Sequence, residues 1–171
     1  MGWADPRAAG LVANLSSLPF DFHCRQTAEG VNLHIFLVRQ LPVLPPDFYG
    51  TDDVAFIASR VLELTYTTET MALFARGMGY GGAPFAWDVA RRALLRAELD
   101  AWYARAYGLD RRQLEYILDP HDVMGTDYPS QTFRVLRKHE MATYGEYRTR
   151  PLVLAAYDRL EDRQIAASGT S

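Results

Sequence analysis

The chain has 171 residues, of which 49% are hydrophobic and 23% charged, values typical of a folded protein rather than a disordered segment. Its formal net charge of −3 excludes a protein that binds nucleic acid through bulk positive charge. No apolar run approaches the roughly 20 residues that a membrane-spanning helix needs, and no signal peptide is recognisable. Because Cys24 is the only cysteine, no internal disulfide is possible, so we expect a cytoplasmic protein without a membrane partner.

Hydrophobic periodicity predicts a mainly α protein, a helical bundle with at most one or two short strands near residues 31–38. Asp5 and Pro6 are typical of a helix start, so a first helix is expected from about residue 6 to 17. Its apolar residues recur at helical spacing, which supports this helix: Leu11, Leu15 and Leu18, joined by Val12.

A proline-rich strap, defined here as Leu41–Pro46, follows an apolar run. Proline lacks an N–H and restricts the residue before it to extended conformations, so the preceding element must end near Gln40. We expect the strap to pack against helices through its apolar side chains, Leu41, Val43 and Leu44. Composition leaves two interpretations open: a connector between helical halves, or a segment that holds neighbouring polar side chains on a ligand.

After the strap, Asp52 or Asp53 is expected to cap a helix that ends near residue 66. The clearest helix is predicted from about Asp88 to Tyr107, with arginines mostly on its exposed side, and Gly108 ends it. On that helix Arg92 has Asp88 and Arg96 as neighbours four residues away, and their effects should offset. Further helices are expected at about residues 69–78, 110–118, 132–144 and 151–163.

The sequence gives little support for a phosphate-binding loop, a metal site or a catalytic cysteine. The glycines between residues 77 and 82 follow a helix rather than a strand, which favours a helix–helix loop over a phosphate-binding fingerprint. The histidines have no second ligand at metal-binding spacing, and Cys24 has no orienting partner for nucleophilic catalysis. The carboxylate-rich loops at 47–53 and 119–127 lack the alternating spacing of a calcium site. We therefore expect no metal and no cofactor in this chain.

Two polar clusters point towards nucleic acid. Arginine and glutamine bind guanine and adenine edges through paired hydrogen bonds, and arginine and lysine bind phosphates. A cluster around the strap contains such residues among apolar ones, and a second segment, residues 134–150, is locally +3. The candidate DNA-binding residues are Arg25, Gln26, His34, Arg39 and Gln40 in the first cluster, and Arg134, Arg137, Lys138, Arg148 and Arg150 in the second. Solvated helix faces are the alternative for both clusters.

Several long stretches resemble the C-terminal region of large adenine-specific DNA methyltransferases of the type IIG restriction–modification and BREX phage-defence systems. The similarity covers about Leu11 to Leu160. It is carried by NLSSLPFDFHCRQ from Asn14, GVNLHIFLVRQLPVLPP from Gly30, RVLELTYT from Arg60, PFAWDVARRALLRAELDAWYARAYGLDRRQLEYILDP from Pro84 and YPSQTFRVLRKHEMATYGEYRTRPLVLAAYDRL from Tyr128.

The resemblance implies a target-recognition and helical tail without catalytic machinery. The family's Asn/Asp-Pro-Pro-aromatic motif does not occur in the sequence, nor does its glycine-bearing cofactor motif. S-adenosylmethionine would then bind a separate methyltransferase core, with double-stranded DNA and that core as partners. The expected organisation is a segment 1–46 that closes a target-recognition-like region, a helical domain 47–165 and a frayed tail 166–171. The alternative is a structural module that braces the core and makes no DNA contact.

Overall fold

The computed structural model describes residues 5–27, 35–128 and 132–168, and within these ranges every regular element is a helix. The mainly α class is therefore confirmed. Two turns of 3₁₀-helix, Pro46–Phe48 and Glu69–Met71, flank α4 in the chain. In chain order the α-helices are α1 (Arg7–Ser16), α2 (Leu18–Thr27), α3 (Ile35–Val38), α4 (Thr51–Thr65), α5 (Ala72–Gly77), α6 (Val89–Ala106), α7 (Arg111–Leu118), α8 (His121–Met124), α9 (Arg134–Tyr144) and α10 (Thr149–Ser168).

Helix α6 lies at the centre of the bundle and carries a stripe of alanines. Ala97, Ala101 and Ala104 are buried in a cluster with Val153 and Tyr157 of α10. Because alanine is small, the two helix backbones can approach closely, and close-packed contacts replace the voids that a looser crossing would leave. The pair α6 and α10 is thus the main packing axis of the fold.

The opposite side of α6 packs against α1 and α4. Leu99 and Tyr103 are buried there with Ile57 and Val61 of α4. The Tyr103 hydroxyl is also buried, and it donates a hydrogen bond to the carbonyl oxygen of Gly10 at 2.7 Å. A buried tyrosine needs such a partner, because an unpaired hydroxyl costs stability. Helix α6 therefore joins two core clusters, one on each side.

The leucines that recur at helical spacing do not form the buried face of α1. Leu11 and Leu15 are about half exposed, with 50% and 48% of their surface accessible, and Leu18 is half-buried at the start of α2. Small residues face the core instead because α4 and the ring of Tyr49 lie close to the helix: a Cβ added at Gly10 would meet that ring at 3.0 Å. The buried residues of α1 are Ala9, Gly10, Ala13 and Asn14.

One buried amide holds the strap in place. The Oδ1 atom of Asn14 accepts a hydrogen bond from the Leu44 N–H at 2.9 Å, and its amide nitrogen donates to the Tyr107 hydroxyl. That hydroxyl donates in turn to the carbonyl oxygen of Pro42 at 2.7 Å. Leu44 packs against the α1–α4–α6 cluster as expected, whereas Val43 is exposed, contrary to expectation.

Two further expectations concern the ends of elements. Residues 35–38, where a strand was considered, form the short helix α3, and residues 31–34 lie outside the described ranges. Helix α10 runs to Ser168, past its predicted end near residue 163, while residues 169–171 of the expected frayed tail also lie outside. The division of the chain at residue 46 stays a prediction.

Aspartates cap α6 and α7, as predicted for Asp110, whereas the N-caps of α1 and α4 are Pro6 and Gly50 rather than the predicted aspartates. The Asp88 carboxylate accepts from the Arg91 N–H at 2.9 Å, and Asp110 caps α7 in the same way. Helix α4 begins slightly earlier than expected, with Gly50 as its N-cap. The Asp53 carboxylate accepts from the Gly50 N–H at 3.0 Å, so Asp53 supports the helix start from inside its first turn.

Candidate nucleic-acid interface

The first predicted cluster is largely at the surface. Arg25 is exposed on α2 and pairs with Asp21 one turn earlier, with an N–O distance of 2.9 Å. Its guanidinium also lies 5.6 Å from the centroid of the Phe133 ring. Gln26 is exposed at the end of the same helix. These contacts leave Arg25 accessible, but its charge is offset by a neighbouring carboxylate.

The remaining residues of the first cluster lie near α3. Arg39 and Gln40 follow that helix directly and are both exposed. His34 lies outside the described residues. No contact places Arg39 or Gln40 beside Arg25 in the described part of the chain, so the structure does not assemble this cluster into one site.

The second predicted cluster divides into paired and unpaired cations. Arg137 forms an ion pair with Asp119 at 3.0 Å, and Arg150 forms one with Asp122. Within the described ranges the other three cations have no ion-pair partner: Arg134 and Lys138, exposed one turn apart on α9, and Arg148 before α10. The two carboxylates belong to the carboxylate-rich segment 119–127, and they neutralise arginines.

One cleft brings the two clusters together. Arg25 of the first cluster and Arg134 of the second both line a cleft of about 840 Å³, with His121 and Tyr128 on its wall. The sequence alone could not predict this pairing, because α2 and α9 are far apart in the chain. The cations in its lining are Arg25, whose charge is offset by Asp21 on the same lining, and Arg134.

A second basic site, missed in the sequence, lies between α6, α9 and the start of α10. Two arginines stack on aromatic rings there: the Arg92 guanidinium lies 3.7 Å from the Trp87 ring centroid, and that of Arg148 lies 4.2 Å from the Tyr144 centroid. Arg96 lies on the same groove, which has a volume of about 200 Å³. We call this site the arginine–aromatic groove and define it by Trp87, Arg92, Arg96, His139, Tyr144 and Arg148.

The arginines of α6 repel each other. The pKa of Arg92 is lowered, first by desolvation and then by the positive charge of Arg96 one turn away. The negative charge of Asp88 acts on Arg91, whose pKa it helps to raise, and does not offset the charge on Arg92. The Nη1 atom of Arg92 donates to the carbonyl oxygen of Leu64 at 2.9 Å, which fixes the side chain in place. An anion bound between the two guanidinium groups would relieve the repulsion.

One carboxylate lies on the wall of the groove and offsets part of its positive charge. Both oxygens of Glu140 accept hydrogen bonds from Thr149, one from the backbone N–H at 2.9 Å and one from the hydroxyl at 2.6 Å. This contact caps α10 with a side chain of α9. The groove keeps a net positive charge because three arginines, Arg92, Arg96 and Arg148, line it together with the single carboxylate of Glu140.

The groove adjoins a larger cleft of about 500 Å³, with which it shares Arg92, Arg96 and Glu140. Asp100 lies on the inner wall, only 7% exposed, and accepts a hydrogen bond from the Leu18 N–H at 2.7 Å. Burial raises the pKa of Asp100 to about 7, although that hydrogen bond and the positive charge of Arg96 oppose the rise. This buried acid was also missed in the sequence.

Other chemistries remain without support in the described residues. No group of three or more histidine, cysteine, aspartate or glutamate side chains within them could hold a metal ion. Burial raises the pKa of the Cys24 thiol, which disfavours the reactive thiolate. The glycine-rich segment 77–82 is a connector, followed by a hydrogen bond from the Phe85 N–H to the Tyr66 carbonyl oxygen.

Comparison with models of known protein families, with curated proteins and with solved structures finds no match for the chain. In the part of the chain that the structure describes, no helix is both long enough and apolar enough to cross a bilayer.

Proposed function

We propose that the chain is a non-catalytic DNA-binding module that acts with a separate adenine-methyltransferase core. The observation that carries the proposal is a set of cations around α9 for which the described residues provide no ion-pair partner. Leu136 lines both the 840 Å³ cleft and the arginine–aromatic groove, so the two basic sites are neighbours on α9. The set comprises Arg96, Arg134, Lys138 and Arg148.

These cations have the chemistry that DNA backbones require. Arginine and lysine side chains neutralise phosphates and release counterions, and this term supplies most of the affinity that does not depend on sequence. The net charge of −3 does not oppose local binding, because exposed charges more than about 10 Å apart are largely screened at 0.1 M salt. The methyltransferase partner rests on the resemblance of the sequence to the tails of such enzymes.

The first test measures the salt dependence of duplex binding. We expect the affinity for a labelled DNA duplex to fall as salt rises from about 50 to 200 mM, with a log–log slope of about −0.9 for each phosphate contacted. Fluorescence anisotropy at several salt concentrations gives the slope. A signal that does not vary with salt, or no binding even with the methyltransferase core added, would contradict the proposal.

Charge reversal locates the binding face. In the double variant Arg134→Glu with Lys138→Glu, we expect the magnitude of the log–log salt slope to decrease by about 2, because two phosphate contacts are lost. The matched control reverses two exposed arginines of other helices, Arg112 and Arg159, which line neither basic site. Equal weakening by the test and control variants would show that only total charge matters, and would remove α9 as the binding face.

A second candidate function is a structural module that braces the core. It is favoured by the exposure of apolar residues near the N-terminus: Ile35 and Phe36 are each 70% exposed, and the leucines of α1 are half exposed. Such surface is typical of an interface with another protein. Light scattering tests this candidate: oligomers that dissociate in the variant Ile35→Asp with Phe36→Asp, together with no DNA binding, would favour it.

A further inference from the structure

The exposed tryptophan of the arginine–aromatic groove has no role in the core. Trp87 is 66% exposed, although tryptophan is usually largely buried. One ring face carries the Arg92 guanidinium, and the ring belongs to none of the three core clusters of the described residues. An exposed indole beside arginines is typical of a surface that binds flat, electron-rich rings.

The groove offers two such platforms. Tyr144 is 42% exposed. The Arg148 guanidinium lies over its ring, as the Arg92 guanidinium lies over the Trp87 ring. Guanidinium planes and aromatic faces both stack on nucleobases, and the remaining N–H groups of an arginine can bind a phosphate at the same time. Each pair of an arginine and a ring therefore offers a stacking surface for the base of a nucleotide and a cation for its phosphate.

The shape of the site distinguishes between double and single strands. A duplex is read by elements that protrude into its grooves, such as a helix in the major groove. The arginine–aromatic groove is concave and has a volume of only about 200 Å³, and its aromatic rings line the wall. Inside a duplex the bases are stacked on each other, so their faces cannot reach such a wall. Unpaired bases can.

We infer that the arginine–aromatic groove binds an unpaired stretch of nucleic acid, with bases stacked on Trp87 and Tyr144 and phosphates bound by Arg96 and Arg148. This inference rests on the proposed function and specifies that this site binds unpaired rather than base-paired nucleic acid. The chemistry is shared by single-stranded DNA and RNA, because stacking and phosphate binding do not involve the 2′-hydroxyl. Duplex would then contact the exposed cations of α9, and a melted or single-stranded region would enter the groove.

The test compares three labelled probes of about 16 nucleotides, an oligothymidylate, an oligouridylate and a mixed-sequence DNA duplex. We expect Trp87→Ala to weaken binding of the single-stranded probes at least about five-fold, since stacking on one aromatic ring is worth about that much or more. Duplex binding should change less than about two-fold. Trp87→Phe keeps a ring and should retain most of the affinity for single strands.

The matched control is Phe36→Ala, which removes another aromatic side chain of similar exposure that does not line the groove. It should leave binding of all three probes unchanged. Tryptophan fluorescence adds a direct readout: a single-stranded probe should quench the emission of the wild type, and this quenching should largely vanish in Trp87→Phe. Circular dichroism of each variant verifies the fold.

The outcomes separate the inference from the proposed function. If Trp87→Ala leaves binding of single strands unchanged, or weakens duplex and single strands equally, the inference is overturned while salt-dependent duplex binding still supports the proposed function. If no probe binds in a salt-dependent way, both fail. A preference of the oligouridylate over the oligothymidylate, or the reverse, identifies which nucleic acid the groove accepts.

Discussion

Replacing Asp100 with asparagine should stabilise the protein above pH 7, although it removes a carboxylate that accepts a hydrogen bond. Asparagine keeps an oxygen for the Leu18 N–H, which the carboxylate now accepts at 2.7 Å. It removes the cost of ionising a buried acid whose pKa is raised from 3.8 to about 7. That difference corresponds to at most about 4 kcal/mol, and we expect a gain of about 2 to 4 kcal/mol at pH 8.

The effect should depend on pH with a defined sign. Below pH 3.8 Asp100 is protonated in both the folded and unfolded states, so it does not oppose folding. Between pH 3.8 and about 7 the unfolded state loses this proton first, so the free energy of unfolding of the wild type falls as pH rises, and above pH 7 it levels off. Urea denaturation of wild type and Asp100→Asn across this range measures the difference.

The comparison of the two proteins removes the contributions of other groups. Arg96 and Glu140, which share the cleft with Asp100, are present in both, as is Glu63, whose pKa is lowered by its hydrogen bonds from Arg91. Glu63 stabilises the folded state above its ordinary pKa of 4.5 and loses this effect as pH falls, which opposes the trend of Asp100. Parallel stability curves for the two proteins would contradict a raised pKa at Asp100.

The second large effect is expected at Asn14. Its replacement by alanine should lower the free energy of unfolding by about 3 kcal/mol, because two hydrogen bonds are lost and the Leu44 N–H is left without its partner. The fully buried site would also contain a small cavity. Chemical denaturation measures the loss, and hydrogen exchange at the Leu44 amide should become faster, because the strap is no longer tied to α1.

The same helix supplies the control. Leu11→Ala truncates a larger side chain one turn earlier, but Leu11 is half exposed, so we expect a loss below about 1 kcal/mol. A double-mutant cycle of Asn14→Ala with Tyr107→Phe should give a coupling energy of about 1 kcal/mol or more, because the two side chains are hydrogen-bonded. Equal losses at Leu11 and Asn14 would show that the buried amide does not anchor the strap.

The helices could be predicted because their signals are local. Asp88 and Asp110 precede runs of helical periodicity, and both cap the helices that follow. The face of α1 could not be predicted in this way. Periodicity identifies an apolar stripe but does not tell what covers it, and the Tyr49 ring and α4 cover the small residues around Gly10 instead. The leucines of α1 are left at the surface as a result.

At the candidate site too, the sequence predicts local features but not tertiary contacts. Residue type correctly predicts surface positions for Arg134 and Lys138, but the ion pair between Arg137 and Asp119 depends on tertiary contact and cannot be read from spacing. The arginine–aromatic groove was missed because Trp87 and Arg148 meet only in the folded chain. One signal was available: Arg92 and Arg96 lie one turn apart on α6, where two positive charges repel each other.

The two hydrogen bonds from Thr149 to Glu140 affect how rigid the basic surface is. They tie α9 to the first turn of α10, and α10 is packed along the alanines of α6. Arg148, immediately before that turn, therefore occupies a fixed position on a stiff frame, so little conformational freedom remains to be lost at first encounter. If a strand binds here as we propose, it would meet a preorganised surface, and strands of another shape would be excluded because the surface cannot rearrange to fit them.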